Sequence, residues 1–553
     1  MKKLVVTVAF LVTFFIVCSV SASAVLNNTV KVGLKYSGDA LFSANLENAQ
    51  GSGYAFGYYD SSRSFVPLGS TGQTTISMTA AGTIYIGGSG TYYDTEPVSS
   101  HQTLGPYHIQ LSGTYDGFAA ASAAASAYSG GYPAYLSGAY SVRIGCYLTA
   151  NDASSALAAL GVGGGTVVQS GGTGVLVTVT KTATVLLEFD CLGAQSLAVR
   201  PDGGGAKAVT WFKGYKYYGG FEYQRITGGN INVINVVNLE DYVKGVIPYE
   251  MNGGWPLEAL KAQAVCARTY VCATTKHLAS NGFDVCNSTD CQVYYGVGSG
   301  AINPTAVSDQ AVDETAGVCL YYNGALAESV YFSSDGGATE DAANVWGGNV
   351  PYLTGKADPY ESTITIPSYS YSTTYSSAEL TYILQNKGYS IGTVRNVYVS
   401  EFTKMGNVYK VTFVDTSGGT LTVKGDTCRS IFYSSTYGKS VRSMRFNISG
   451  GSSASFYVNS ASGPLSTLSG VYLISGSGTV STYTGSAPYV ITSSGTAALS
   501  SSASTASSDS FTVTGTGSGH NVGMSQYGAN AMAKQGCDYR AILNFYYTNV
   551  TIA

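Results

Sequence analysis

Short apolar runs that alternate residue by residue, each closed by turn residues, restrict this chain more than any other feature. Val30-Lys31-Val32-Gly33-Leu34 and Tyr54-Ala55-Phe56-Gly57-Tyr58 set the pattern, and residues 180 to 235 return to it. A period of two places alternate side chains on opposite faces of a strand, so such runs predict half-buried β structure. Helical periodicity is rare here and stands out where it occurs. Pro256 opens the clearest case, with Leu257, Leu260, Ala264 and Ala267 forming one apolar stripe through Tyr270. The expected class is α+β, mostly strand with a few short helices.

The chain opens with Met1-Lys2-Lys3, an apolar run from Leu4 to Val17, and Ala22-Ser23-Ala24. That order reads as an export signal over residues 1–24. The run is shorter than the roughly 20 residues that span a bilayer. The expected location is therefore outside the cytoplasm, secreted or in the cell wall, with a membrane anchor as the alternative if the signal stays uncleaved. Charged residues make up 11% of the chain and the net charge is −4, so nucleic acid is excluded as a partner: phosphate binding needs a surplus of Lys and Arg. Hydroxyls and 45 tyrosines supply the polar surface instead. That composition suits sugars, whose apolar ring faces are edged with hydroxyl groups, and it also suits Tyr-rich β structure.

Between residues 103 and 178 the pattern changes. Tyr107-His108-Ile109-Gln110-Leu111 reads as a strand, Gly117 to Tyr128 as a helix, and Ala134-Tyr135-Leu136 and Tyr140 to Gly145 as two strands. Asn151-Asp152 caps a second helix through Ala159, and a last strand falls near Val167 or Val175. This βαββαβ order predicts a ferredoxin-like unit. The strand Tyr107 to Leu111, the Ala-rich helix and Tyr140-x-Val-Arg-Ile-Gly145 resemble a SPOR domain, a module that binds glycan strands stripped of stem peptides. Residues 451–508 are Ser/Gly/Thr-rich and read as an insertion with some strands.

Three segments carry chemistry. Glu250 follows Pro248 and precedes Gly253-Gly254, which places it at the end of an element with Tyr249, Met251 and Trp255 as sequence neighbours. A carboxyl enclosed by such side chains holds its proton to higher pH, as a general acid must. The second segment holds His277, Cys286 and Cys291. Three readings stand side by side: a zinc ligand set, a Cys286–Cys291 disulfide, or ordinary core residues. The third runs from Gly515 to Gly536. No βαβ context or Lys-Ser/Thr pair accompanies its glycines, so a phosphate loop is rejected. Ser525 is placed to cap a helix ending at Gly536, and the glycines allow a close approach that brings His520 and Gln526 to a cleft.

Together these motifs resemble the SpoIID/LytB family, which comprises stage II sporulation protein D and the amidase-enhancer proteins. The matches run in order. They begin with Glu240-Asp241-Tyr242-x-x-Gly245-Val246, Glu250-Met251, and the helix from Glu258 to Tyr270. Cys291-Gln292-Val293-Tyr294-x-Gly296 comes next, then Ser334-x-Gly-Gly-x-Thr-Glu340, Val345-Trp346-Gly347, and Gly519-His520 with Gly523-Met-Ser-Gln526. The resemblance implies a lytic transglycosylase that acts on denuded peptidoglycan strands, with Glu250 as catalytic acid. The implied partners are glycan strands and a cell-wall amidase. The alternatives are a non-catalytic amidase enhancer and a glycan-binding protein without activity. The candidate sugar-contacting residues are Lys261, Gln263, Arg268, Tyr270, Gln292, Tyr294, Ser334, His520 and Gln526. Some members hold a zinc through one His and two Cys, which the resemblance places on His277, Cys286 and Cys291. The expected organisation is a core in three parts, 25–102, 179–450 and 509–553, interrupted by the SPOR-like unit and the Ser-rich insertion.

Overall fold

The computed structural model describes residues 28–226, 229–274, 276–450 and 510–553, together with the backbone of four short strands between 472 and 498. The expected signal segment, and the side chains of the Ser-rich span, lie outside the described residues. The fold is α+β, mostly strand with few helices. No helix among the described residues is long and apolar enough to cross a membrane.

Strand Ile231–Asn238 positions the site. Its first seven residues are buried, and it lies near the middle of a seven-stranded sheet between Thr29–Lys35 and Gly220–Arg225. β-branched residues on both faces suit a strand covered on both sides. At its end Asn238 caps the helix Leu239–Glu250, its side-chain oxygen accepting the Glu240 N–H at 2.9 Å. Glu240 and Asp241 in the first turn complement the helix dipole. Pro248 removes an N–H in the last turn, and the helix stops at Glu250.

That helix packs on Leu257–Ala273. Ala259, Ala262, Ala264 and Ala267 of the second helix are fully buried, and small residues let neighbouring backbones close in. Helices Ala306–Asp313, Gln526–Lys534 and Tyr539–Tyr546 pack around it. One hydrophobic core therefore joins the N-terminal strands, these helices and the C-terminal segment. Gly245 is needed where the Glu250 helix meets the segment after Cys291. A Cβ there would lie 2.5 Å from the Tyr294 ring and 2.9 Å from the Gly296 carbonyl.

From Tyr107 to Gln169 the elements run strand, helix, strand, strand, helix, strand. The four strands bond in the order fourth, first, third, second, all antiparallel. They enclose a core of their own around Ile109, Ala121, Ala125, Val142 and Ile144. The second helix is capped by Thr149, two residues ahead of the expected Asn151, with its hydroxyl accepting the Asp152 N–H at 3.1 Å. The unit does not hang on a linker. Strand Gly131–Leu136 pairs in parallel with Val185–Asp190, which merges all four strands into a ten-stranded sheet. Arg143 reinforces this join through a 2.5 Å ion pair with the fully buried Glu188.

Residues 370–450 and 510–516 contribute a further hydrophobic core around Tyr375, Leu380, Phe413 and Phe432. Strands Phe446–Gly450 and Ser510–Thr516 are direct antiparallel neighbours, so the Ser-rich span leaves and re-enters the fold at one place.

Candidate active site

Glu250 ends its helix partly buried. Oε1 accepts the backbone N–H of Val293 at 3.0 Å, and Oε2 accepts the side-chain amide of Gln526 at 3.3 Å. The Tyr331 hydroxyl also bonds to this carboxyl. Burial raises the Glu250 pKa above the usual carboxylate range, and the three hydrogen bonds offset part of that rise. The aromatic neighbours in sequence do not supply these contacts: Tyr249 packs edge-on to Tyr295 and Trp255 against Tyr527.

Tyr331 is one residue that sequence patterns missed. Its hydroxyl accepts the Gln292 side-chain amide at 3.1 Å, while Gln292 in turn accepts from the Tyr242 hydroxyl at 2.9 Å. The phenol's single proton remains available to the Glu250 carboxyl. Tyr331 also lines a cleft of about 920 Å³ together with Tyr270, Cys291, Trp346, Tyr352 and His520. It thus connects the carboxyl to a space within the size range of ligand sites, roughly 300–1,000 Å³.

Beside this cleft one donor atom from each of His277, Cys286, Asp290 and Cys291 lies within 4.8 Å of the others. The two cysteines are unbridged. Hydrogen bonding from Cys291 and Ser288 favours the Cys286 thiolate and keeps Cys291 protonated. His277 Nε2 is buried without a hydrogen bond although Asp290 Oδ2 is 3.4 Å away. An orphaned imidazole nitrogen, two sulfurs and a carboxylate within one small volume fit a tetrahedral zinc ion.

The family model SpoIID, stage II sporulation protein, matches residues 227–322, the stretch that carries Glu250 and the His277–Cys291 cluster. Over 321 residues the chain is 31% identical to the amidase enhancer of Bacillus subtilis, a match that covers 56% of this chain and 40% of that protein. It is 31% identical over 343 residues to an uncharacterised protein of Brachyspira hyodysenteriae, covering 61% of this chain and 73% of the relative. The chain belongs to the SpoIID/LytB family. Stage II sporulation protein D of Bacillus subtilis is 27% identical over 328 residues, 57% of this chain and 75% of the relative. The chain spans only two fifths of the amidase enhancer's length.

Within this SpoIID-family chain the motif residues fall into two groups. Gln526 meets Glu250 at the carboxyl, and Tyr270 and His520 line the cleft. Five others expected to touch sugar are too deeply buried to do so. Arg268 is fully enclosed and pairs with Glu240 at 2.6 Å. Gln263 is fully enclosed, and its amide has no partner among the described residues. Tyr294 donates to the Asn235 side chain at 2.8 Å, Gln292 is the relay to Tyr331, and Ser334 donates to Glu361 at 2.8 Å. Lys261 is committed to Glu258 and Glu314 at 2.8 and 2.7 Å. Polar residues at these positions are partners for buried backbone and charge, a role their residue types do not reveal.

Glu361 was also missed. Its carboxylate accepts four bonds, from the Ser334 hydroxyl, the Asp335 and Gly336 N–H groups, and the Ser525 hydroxyl. Ser525 also caps the helix Gln526–Lys534, accepting the Gly528 N–H at 3.1 Å. The Ser334 loop and the Ser525 motif are therefore tied together through a residue outside both, and Gln526 is aimed at Glu250 from that anchored turn.

Proposed function

We propose that this protein is a peptidoglycan lytic transglycosylase that acts in the cell envelope on glycan strands freed of their peptides, with Glu250 as acid and base. The observation that carries the reading is the Glu250 carboxyl itself. Burial raises its pKa, and Tyr331 links it to the cleft. The protonated carboxyl donates to the glycosidic oxygen as the bond to C1 breaks. The resulting carboxylate then takes the proton of the same sugar's 6-hydroxyl as O6 bonds to C1. The product is a 1,6-anhydro end, no water is consumed, and the acid is restored. One carboxyl suffices, unlike hydrolysis with two carboxylates across the bond.

His277, Cys286 and Cys291, with Asp290 as fourth donor, would hold a zinc ion. Such an ion supplies a cross-link that fixes the loop leading to Val293. The unit from Tyr107 to Gln169 is proposed to be a ferredoxin-like, SPOR-type glycan binder, a reading supported by its strand order. Binding stripped strands on the same chain would raise local substrate concentration.

The name of the amidase enhancer favours a second reading, in which the chain binds and stimulates a cell-wall amidase without cutting glycan. Incubation with amidase-treated peptidoglycan separates the two. A transglycosylase releases anhydro-ended fragments seen by mass spectrometry and loses them on Glu250→Gln. An enhancer releases none alone and speeds the amidase when both are mixed.

A further inference from the structure

Trp346 lines the cleft with 46% of its surface exposed, and proton transfer at Glu250 makes no use of it. Its position is built from both sides. It ends the short helix Ala342–Trp346, and the buried Glu340 anchors the start of that helix. Glu340 accepts from Asn344 at 2.8 Å, Thr403 at 2.6 Å and Asn407 at 3.0 Å. At the other end, Gly425 has φ +60° and lies where a Cβ would meet the Val345 carbonyl at 2.4 Å. The Asp426 N–H donates to that carbonyl at 2.9 Å. These contacts clamp the turn bearing Asp426 and Arg429 against the Trp346 helix.

His520 completes the support. Its ring centre is 5.0 Å from Trp346 and 5.3 Å from Phe332. Nε2 donates to the Tyr331 carbonyl and Nδ1 accepts the Val522 N–H, both at 3.1 Å. Both nitrogens are spent internally, so His520 props the tryptophan and offers no polar atom to a ligand. Arg429 differs. Its Nε and Nη2 engage Asp426 at 3.0 and 2.9 Å, and Nη1 has no protein partner among the described residues. A planar donor edge is left over on a residue that lines the same cleft.

We infer that Trp346 and Arg429 form a subsite for a muramic acid residue whose stem peptide has been removed. Hydrolysis of the peptide's first amide leaves a lactyl carboxylate, the anionic group that distinguishes a stripped strand from a peptide-bearing one. The indole face covers the apolar face of the sugar ring, and the free guanidinium edge pairs with the carboxylate. A charge-assisted bond of this kind is about twice as strong as a neutral one. This inference rests on the stripped-strand reading above and gives it a recognition element.

The test measures binding, with the full chain carrying Glu250→Gln so that strands are not consumed. Three probes are titrated: a muramic acid-containing tetrasaccharide with free lactyl carboxylates, the same sugar with those carboxylates converted to methylamides, and chitotetraose. The free acid should bind about tenfold tighter than the amide, a difference of ~1.4 kcal/mol. Arg429→Gln should abolish that preference and leave chitotetraose unchanged, while Trp346→Ala should weaken all three. Equal binding of acid and amide overturns the subsite, as does a preference that survives Arg429→Gln or a Trp346→Ala protein that binds normally. The first comparison needs no change at Arg429. Failure of the catalytic reading is seen separately, as the absence of anhydro product from the protein with Glu250 intact.

Discussion

Gln526 donates its side-chain amide to Oε2 of Glu250 at 3.3 Å, joining residues 276 positions apart in the chain. Val293 holds the other oxygen. The carboxyl is thus oriented from two remote elements while its own helix ends beneath it. Glu250→Gln keeps the side-chain volume but removes the transferable proton. Loss of anhydro product should be about 10²- to 10⁴-fold, the usual contribution of a general acid. Product quantified by mass spectrometry against a melting curve of the same variant checks this, since activity lost through unfolding would be accompanied by a large fall in Tm.

The raised Glu250 pKa also fixes the sign of a stability effect. A carboxyl whose folded pKa lies above its unfolded value contributes stability that is complete below the unfolded value and is lost as pH rises through the folded one. Glu250→Gln has no such loss. The Tm difference, variant minus wild type, should therefore grow as pH rises from about 4, the unfolded carboxyl value, through the raised folded value. A difference that stays flat over that range would show that the carboxyl is no harder to ionise in the fold than in the open chain.

Tyr331→Phe removes a hydrogen bond that favours the charged carboxylate, so the Glu250 pKa should rise further. The high-pH limb of the activity profile reports the acid that must stay protonated, and it should move to higher pH in the variant. Gln292 loses its acceptor as well, so a stability cost of about 1–3 kcal/mol accompanies the shift. An activity profile that keeps its high-pH limb in place would remove Tyr331 from the carboxyl's surroundings.

Arg268 was expected in the sugar cleft and lies instead beneath Glu240. Truncating it to Ala leaves Glu240 without its partner and frees the Val318 carbonyl that Arg268 also reaches at 3.1 Å. The cost should be about 3 kcal/mol, at the lower end for a buried pair because Glu240 keeps 27% exposure. Urea unfolding measures it. Oligosaccharide affinity per folded molecule should not change, and a specific loss of affinity would restore the sugar-binding role.

The difference between Arg268 and Glu250 shows what a sequence can reveal. Pro248 and the Gly253-Gly254 turn punctuate the chain, so the end of the element bearing Glu250 was legible, though not that it is a helix, as were the apolar stripe from Leu257 and the Ser525 cap. The strand–helix order from Tyr107 to Gln169 was legible for the same reason, since period and punctuation are local. Tyr331, Val293, Asp290 and Glu361 were not. Each acts by meeting a residue brought near by packing, and Val293 acts through its backbone, which has no side-chain signature at all. The nine sugar candidates have polarity in common, a property shared by groove residues and by groups that satisfy a buried interior. Burial separates the two, and burial is a property of the fold.

The cluster at His277, Cys286, Asp290 and Cys291 brings one donor atom from each residue within 4.8 Å of the others. Purified under reducing conditions, the protein should carry about one zinc per chain by elemental analysis, and chelation should lower Tm. Ligand binding to the folded state alone stabilises it by ~2.7 kcal/mol at one hundred times Kd. Cys286→Ser should abolish the metal, because a hydroxyl does not replace a thiolate ligand. Asp290→Asn should lower affinity while leaving the sulfurs and imidazole in place. Zinc must displace protons from thiols and imidazole, so affinity should fall as pH drops. A metal-free protein whose thiol count falls by two relative to the reduced chain would establish a Cys286–Cys291 disulfide in place of the metal. The buried His277 Nε2 would then need another partner.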